Sequence, residues 1–124
     1  MLNETVECHA TTAAPPDFVD LTDDIVAAVE RCAIVQGRVT VFSPDERCAI
    51  LVNERESGLL QDIKGALSRM SNGSRGDAPL GSSSVVLPVV DGELKLGTWQ
   101  RVLLVELDQP SRRTVSVQIV GESA

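Results

Sequence analysis

Aromatic residues are nearly absent from this sequence: they make up 2% of the chain, as two phenylalanines and one tryptophan with no tyrosine. Stacking platforms for single-stranded nucleic acid need aromatic side chains along a basic groove, and this chain offers neither. Its formal net charge of -7 has the wrong sign for a phosphate backbone. Nucleic acid is therefore not expected as a partner. Apolar runs fall well short of the roughly 20 residues that a membrane-spanning helix requires, so no membrane partner is expected either. The opening stretch, MLNETVECHATTAAPPDF, lacks a basic end followed by an apolar segment and does not read as a secretory signal. Three cysteines, Cys8, Cys32 and Cys48, are an odd number without C-x-x-C spacing, which encodes neither a disulfide framework nor a zinc knuckle. Reduced thiols in a cytoplasmic protein are the expectation. With a single histidine, a Ser-His-Asp triad would have to recruit His9 from the N-terminal segment, and no G-x-S-x-G, P-loop or dinucleotide fingerprint is present.

What remains is ordinary for a globular protein: 43% hydrophobic and 23% charged residues over 124 positions, read as one domain spanning 1–124. A domain of this size buries about two-thirds of the surface its unfolded chain exposes, enough for one core without staples. The first segment alternates weakly until Ala13-Ala14-Pro15-Pro16 interrupts it. A helix follows, with Thr22 as its cap, Asp23 and Asp24 in its first turn, Ile25, Val26, Val29 and Ala33 at helical spacing, and Gly37 as the stop. Arg38 to Phe42 is a short strand, SPDER a turn, and Cys48 to Val52 a buried strand. In a second helix Leu60, Ile63, Leu67 and Met70 mark one face, and Asn72-Gly73 terminates it. Ser71 to Ser84 is dense in glycine and serine and reads as an exposed loop.

From Val85 onward the chain is rich in strands. Asp91-Gly92 supplies the positive backbone angles of a tight hairpin between VVLPVV and ELKL. In TVSVQIV, Val115, Val117 and Ile119 alternate with Ser116 and Gln118, so one face is core and the other is wet or inter-subunit. Leu103-Leu104-Val105 does not alternate, so both faces of that strand need cover, from helices on one side and a neighbouring subunit as the candidate on the other. Helices separated in sequence from hairpin-linked strands point to an α+β domain on a mainly antiparallel sheet with two helices. Within it, Gly97, Thr98, Trp99 and Gln100 read as a structural corner: the glycine permits a bend, and Trp99 adds apolar surface and an N–H that Gln100 is placed to accept.

The run from Ser84 through Leu87, Pro88, Val89, Gly92 and Gly97-Thr98-Trp99-Gln100 to Val102 resembles the signature of the YjbQ-like family, the secondary thiamine-phosphate synthase family. Weaker similarity extends to DLTDDIV, to LVNERESGLLQDI and to the closing RRTVSVQIVG, so nearly the whole chain is covered. The resemblance implies a compact α+β subunit with a long β-hairpin, assembled as a homotrimer. It also implies a histidine-lined site near a subunit boundary, often with a divalent metal, and weak thiamine-phosphate synthase activity.

The histidines that the resemblance leads one to expect are missing here. Ahead of Asn53-Glu54 the first has become Asp45, in Asp45-Glu46-Arg47-Cys48-Ala49; at the second place Gly76-Asp77-Ala78 leads to Pro79 in a shortened loop. Zinc wants three or four N or S ligands, and one imidazole does not supply them. His9 lies outside every matching motif and reads as a surface side chain. The remnant-site candidates are Asp45, Glu46, Asn53, Glu54 and Asp77. The carboxylates of Asp45, Glu46, Glu54 and Asp77 would serve a hard cation such as magnesium or calcium if the fold made them converge; the competing reading is solvated loop acids. Arg47, Arg55 and Arg75 are the nearby cations for a diphosphate clamp. Cys48 follows Arg47, but the start of an apolar strand favours an inert thiol. No metal and no cofactor is expected, and the function expected is that of a trimeric binding or assembly module, with a weak enzyme at a remodelled carboxylate and arginine site as the alternative.

Overall fold

Alternation in the final strand sorts its residues as the sequence suggests: Val115, Val117 and Ile119 are fully buried, and Ser116 and Gln118 point the other way. The computed structural model describes residues 1–70 and 82–124, including their side chains except those of residues 67–70. The order of elements is β1 (Leu2–Thr11), β2 (Asp17–Asp20), α1 (Thr22–Cys32), β3 (Ile34–Phe42), β4 (Cys48–Glu54), α2 (Ser57–Met70), β5 (Ser84–Val90), β6 (Glu93–Leu94), β7 (Gln100–Glu106) and β8 (Arg112–Ser123). A five-stranded sheet has the order β1-β8-β3-β5-β6 and a three-stranded sheet the order β2-β7-β4. Every strand pairing is antiparallel. The chain is thus an α+β domain, mainly antiparallel with two helices, and none of its described helices is long and apolar enough to cross a membrane.

The main core forms where the inner faces of both sheets meet α1: Val39, Val41, Val117 and Ile119 from the large sheet, Ile50, Val102 and Leu104 from the small one, Ile25 and Val29 from α1. Each such side chain, fully buried, contributes about 1.5–3 kcal/mol relative to exposure. The outer face of the small sheet is covered as well. Ala49 and Val105 pack with Leu51, Phe18 and Leu107, and with Ile63 from α2. This corrects the expectation drawn from Leu103-Leu104-Val105: β7 is apolar on both faces because the large sheet lies over one and α2 over the other, and it needs no second subunit.

Several boundaries differ from those expected. The weakly alternating start is a full ten-residue strand, because its register against β8 runs unbroken from Leu2↔Gly121 to Thr11↔Arg112. Thr22 is the first residue of α1 and not its cap; its Oγ1 accepts a hydrogen bond from the Val102 N–H at 2.8 Å, and its own N–H donates to Asp20 Oδ1 at 2.9 Å. The helix stops at Ala33, left-handed at φ 54°, whose N–H donates to Val29 and Glu30. Gly37 lies within β3, where a Cβ would run into the Val120 carbonyl and stand 2.6 Å from Gly121 Cα, so the glycine permits a close strand approach. The Asp91-Gly92 turn is as expected, with φ of 53° and 79°. At α2, Glu56 is the cap that sequence reading missed: its carboxylate accepts from the Gly58 N–H at 2.8 Å and the Leu59 N–H at 2.7 Å. The expected stop at Asn72-Gly73 and most of the Ser71 to Ser84 loop lie outside the described residues.

Candidate functional site

Polar residues gather at both ends of the β4–β7 pair. At the first end Cys48 lies opposite Glu106, and at the second Asn53 and Glu54 lie opposite Arg101 and Gln100. At about 3.4 Å per residue, the six steps from Cys48 to Glu54 separate the two ends by roughly 20 Å. Asp45 is tied to the first end through its carbonyl, which accepts the Cys48 N–H at 3.2 Å. Asp45 and Glu54 therefore do not converge within one chain. Glu46 is exposed in the β3–β4 loop. Asp77 and Arg75 lie outside the described residues.

The first end is organised by a carboxylate that no sequence motif singles out. Glu106 ends an apolar strand and is fully buried. Arg113 reaches it with two parallel donors, Nε to Oε1 at 2.8 Å and Nη2 to Oε2 at 2.9 Å. Thr12 Oγ1 donates to Oε1 at 2.7 Å and the Asp108 N–H to Oε2 at 3.1 Å. Burial alone would raise the pKa of Glu106; Arg113, Thr12 and the Asp108 N–H outweigh it and hold the carboxyl below its ordinary value. Arg113 also turns Nη1 toward Asp45 Oδ1 at 3.5 Å. Cys48 sits against Glu106 with Sγ 3.7 Å from Oε2. Burial, then the Glu106 charge, push its thiol up to about 12, so it stays protonated at neutral pH. This donor set does not fit a divalent ion. Arg113 occupies the space between the two carboxylates with a charge of the ion's own sign, and the sulfur is not a thiolate. Among the described residues no three His, Cys, Asp or Glu side chains are grouped to hold a metal.

The second end is an open cleft of about 520 Å³ lined by Glu54, Arg55, Glu56, Thr98, Trp99 and Arg101. Asn53 turns back on its own backbone, its Oδ1 accepting the Glu54 N–H at 2.8 Å. Arg101 is anchored by Asp20, Nε to Oδ2 at 2.8 Å, and by Asp23, Nη2 to Oδ1 at 3.1 Å. Burial would raise Asp20, but the Thr22 N–H and the Arg101 guanidinium more than offset it and lower its pKa. Arg55 is mostly exposed, 4.0 Å from the same Asp20 oxygen. The expected structural corner takes another form. Gly97 and Gln100 close a turn on each other, the Gly97 N–H donating to Gln100 Oε1 at 2.7 Å and the Gln100 N–H to the Gly97 carbonyl at 3.0 Å. Gln100 thus spends its acceptor on Gly97 and not on Trp99. Trp99 stands 74% exposed at the cleft rim.

Neither of the other candidates, His9 and Arg47, lines the cleft. His9 is exposed on β1, its Nδ1 3.2 Å from Thr114 Oγ1. Arg47 is half-buried, and its carbonyl accepts the Leu107 N–H at 2.9 Å.

Comparison with known proteins gives a consistent result. The model of a family described as UPF0047 protein YjbQ-like matches residues 6–122. A UPF0047 protein of Archaeoglobus fulgidus is 36% identical over 128 residues, covering 91% of this chain and 98% of the relative. One from Methanothermobacter thermautotrophicus is 31% identical, covering 95% and 92%. The crystal structure of a YbjQ-like protein of unknown function from Sulfolobus solfataricus superposes with a TM-score of 0.90 at 34% identity, covering 98% of this chain and 99% of that one. A hypothetical protein from Aeropyrum pernix has a TM-score of 0.88 at 30% identity, covering 96% and 99%.

Proposed function

Because the chain belongs to the YjbQ-like UPF0047 family, we propose that it is a divergent member acting in the cytoplasm as a trimeric binding or assembly module, without the metal-dependent thiamine-phosphate synthase chemistry that the resemblance implies. One observation carries this reading. At the position the resemblance assigns to a histidine stands Asp45, and its carboxylate faces the Arg113 guanidinium, itself locked on buried Glu106. A cation of the protein is built in where a metal would need open donors. Binding would then use the cleft at the other end of β4, where Trp99 offers a large apolar face beside two guanidinium groups.

A second reading is favoured by the same cleft. Arg55 and Arg101 beside Glu54 form a cationic and acidic pair of the kind a weak synthase-like enzyme at a remodelled site would use on a diphosphate. One set of measurements on the purified protein separates the two. The binding-module reading expects metal analysis after dialysis to give far less than one divalent ion per chain, and incubation with the pyrimidine and thiazole precursors to yield no thiamine phosphate. One ion per chain, or product formation lost on Arg55→Ala, would reverse the order. Light scattering giving three times the 13.2 kDa chain mass is expected, and a monomer mass would remove the assembly part.

A further inference from the structure

The charges that line the cleft at the Asn53 end of β4 cancel two against two: Glu54 and Glu56, Arg55 and Arg101. Part of that charge is already spent inside the protein. The Arg101 guanidinium is held by Asp20 and Asp23, at 2.8 and 3.1 Å. Both Glu56 oxygens accept backbone N–H groups at the start of α2, from Gly58 and Leu59. Two charges stay open. The Arg55 side chain is 62% exposed and reaches only Asp20 Oδ2, at 4.0 Å, an oxygen that Arg101 already occupies. Among the described residues nothing pairs with the exposed Glu54 carboxylate or with the Thr98 hydroxyl. Neighbours in a strand point to opposite faces, but β4 ends at Glu54, so Arg55 escapes the alternation and both side chains border one cavity. Trp99 completes the lining, carried by a turn that Gly97 and Gln100 close with two hydrogen bonds. An indole held out in water by a braced turn is apolar surface that a ligand can cover.

From these groups we infer that the cleft receives a small aromatic zwitterion: a ring against the Trp99 indole, an ammonium group toward Glu54, and a carboxylate toward Arg55 and the Thr98 hydroxyl. This rests on the binding-module reading of the cleft and names its ligand class. Charge selects that class over its competitors. A doubly charged anion such as a phosphate ester finds one open guanidinium and meets Glu54 as a like charge, with Glu56 and the nearby Asp20 adding to the repulsion. A simple amine satisfies Glu54 and leaves Arg55 unmatched. A ligand bearing both signs gives each open charge a partner and keeps the cleft neutral, which is discrimination by what the site repels as well as by what it attracts. The volume agrees. About 520 Å³ lies in the range of small-molecule pockets and accommodates an amino acid with an aromatic side chain. Each exposed ionic arm is weak alone; the ring supplies the apolar area and the two arms fix its orientation.

The test takes Trp99 as reporter and titrates ligands that share a phenyl ring and differ in charge: L-phenylalanine with both signs, 2-phenylethylamine with the ammonium alone, 3-phenylpropionate with the carboxylate alone, and phenyl phosphate as the dianion. Indole emission and its protection from acrylamide quenching give the dissociation constants. L-phenylalanine is expected to bind about five-fold more tightly than either singly charged analogue, the worth of one exposed ion pair. Glu54→Gln is expected to bring L-phenylalanine to the level of 3-phenylpropionate, and Arg55→Met to that of 2-phenylethylamine. Both side chains are exposed, so circular dichroism is expected to stay unchanged in the two variants. A Trp99 signal that none of the four ligands alters overturns both the binding-module reading of the cleft and this inference. Phenyl phosphate or 3-phenylpropionate binding as tightly as L-phenylalanine, or an L-phenylalanine affinity untouched by Glu54→Gln, keeps the cleft as a binding surface and overturns the zwitterion alone.

Discussion

Glu106 and Arg113 meet side-on, seven residues apart across the β7–β8 connection, with two parallel hydrogen bonds of 2.8 and 2.9 Å and no solvent on the carboxylate. The pair also gathers Thr12, just past the end of β1, and Asp45 from the β3–β4 loop. It therefore ties both sheets together at one end of the molecule.

Removing one partner strands the other. Arg113→Met is expected to destabilise the fold by about 3–5 kcal/mol, the usual cost of leaving a buried charge unpaired. The double change Arg113→Met with Glu106→Met is expected to recover most of that loss, because neither charge then needs solvating. Urea midpoints at constant slope measure both. A double variant no more stable than the single one would mean that the network does more than neutralise its own members.

The same pair sets the acid limb of stability. The Glu106 carboxyl is held below its ordinary value near 4.5 in the folded chain, so in acid the unfolded chain binds more protons. Its contribution is fully present above the unfolded pKa and is lost as pH falls through the folded one. Stability from pH 6 downward is therefore expected to fall, and Glu106→Gln to flatten the fall without abolishing it, because Asp20 is lowered in the same sense. In Arg113→Met the Glu106 contribution is expected to shrink, since only Thr12 and the Asp108 N–H then work against burial. Denaturant melts across that pH range in the three proteins are the measurement.

Thiol chemistry follows from the same geometry. Burial, then Glu106, push Cys48 up to about 12; burial and the bond to Glu4 push Cys32 up to about 11; Cys8 is also raised by burial. The thiolate is the reactive form. At pH 8 a chromogenic disulfide reagent is expected to label the native protein far more slowly than the urea-unfolded chain, with three equivalents only in the latter. Rapid labelling of Cys48 in the native state would contradict the inert role given to it.

Legibility in the sequence follows how local each cause is. The Asp91-Gly92 hairpin and the alternation of Val115, Val117 and Ile119 were readable because turn chemistry and the two-residue period are encoded by neighbours. The stop of α1 was not, because Ala33 in a left-handed conformation is a choice imposed by the strand that follows. Gly37 misled for a related reason: its need for a missing side chain comes from Gly121 and Val120, over eighty residues away in the chain. At the site, the family motif pointed to Asn53, Glu54 and the Gly97 to Gln100 turn, which do border the cleft or its flanks. It could not show that Asp45 lies at the far end of β4. Glu106 was hidden at the end of an apolar strand, and the pairing of β8 with β1 brings Thr12 to the Glu106–Arg113 pair.

Trp99 offers the most direct view of the cleft, because it is the sole tryptophan in a chain without tyrosine. At 74% exposure it buries little, so Trp99→Ala is expected to change stability by no more than about 0.5 kcal/mol. A residue kept only as core would cost about 3–5 kcal/mol on the same truncation. The unaltered protein is expected to show the red-shifted emission of a hydrated indole and strong quenching by iodide, and both signals are expected to change on binding of a ligand seated beside Arg55 and Arg101. Titration with aromatic phosphates, monitored at that single fluorophore, reads this directly, and Arg55→Ala should weaken the response without altering the emission of the free protein. A blue-shifted, iodide-resistant indole in dilute monomer would mean that the turn packs Trp99 inward, and would remove the cleft as the binding surface.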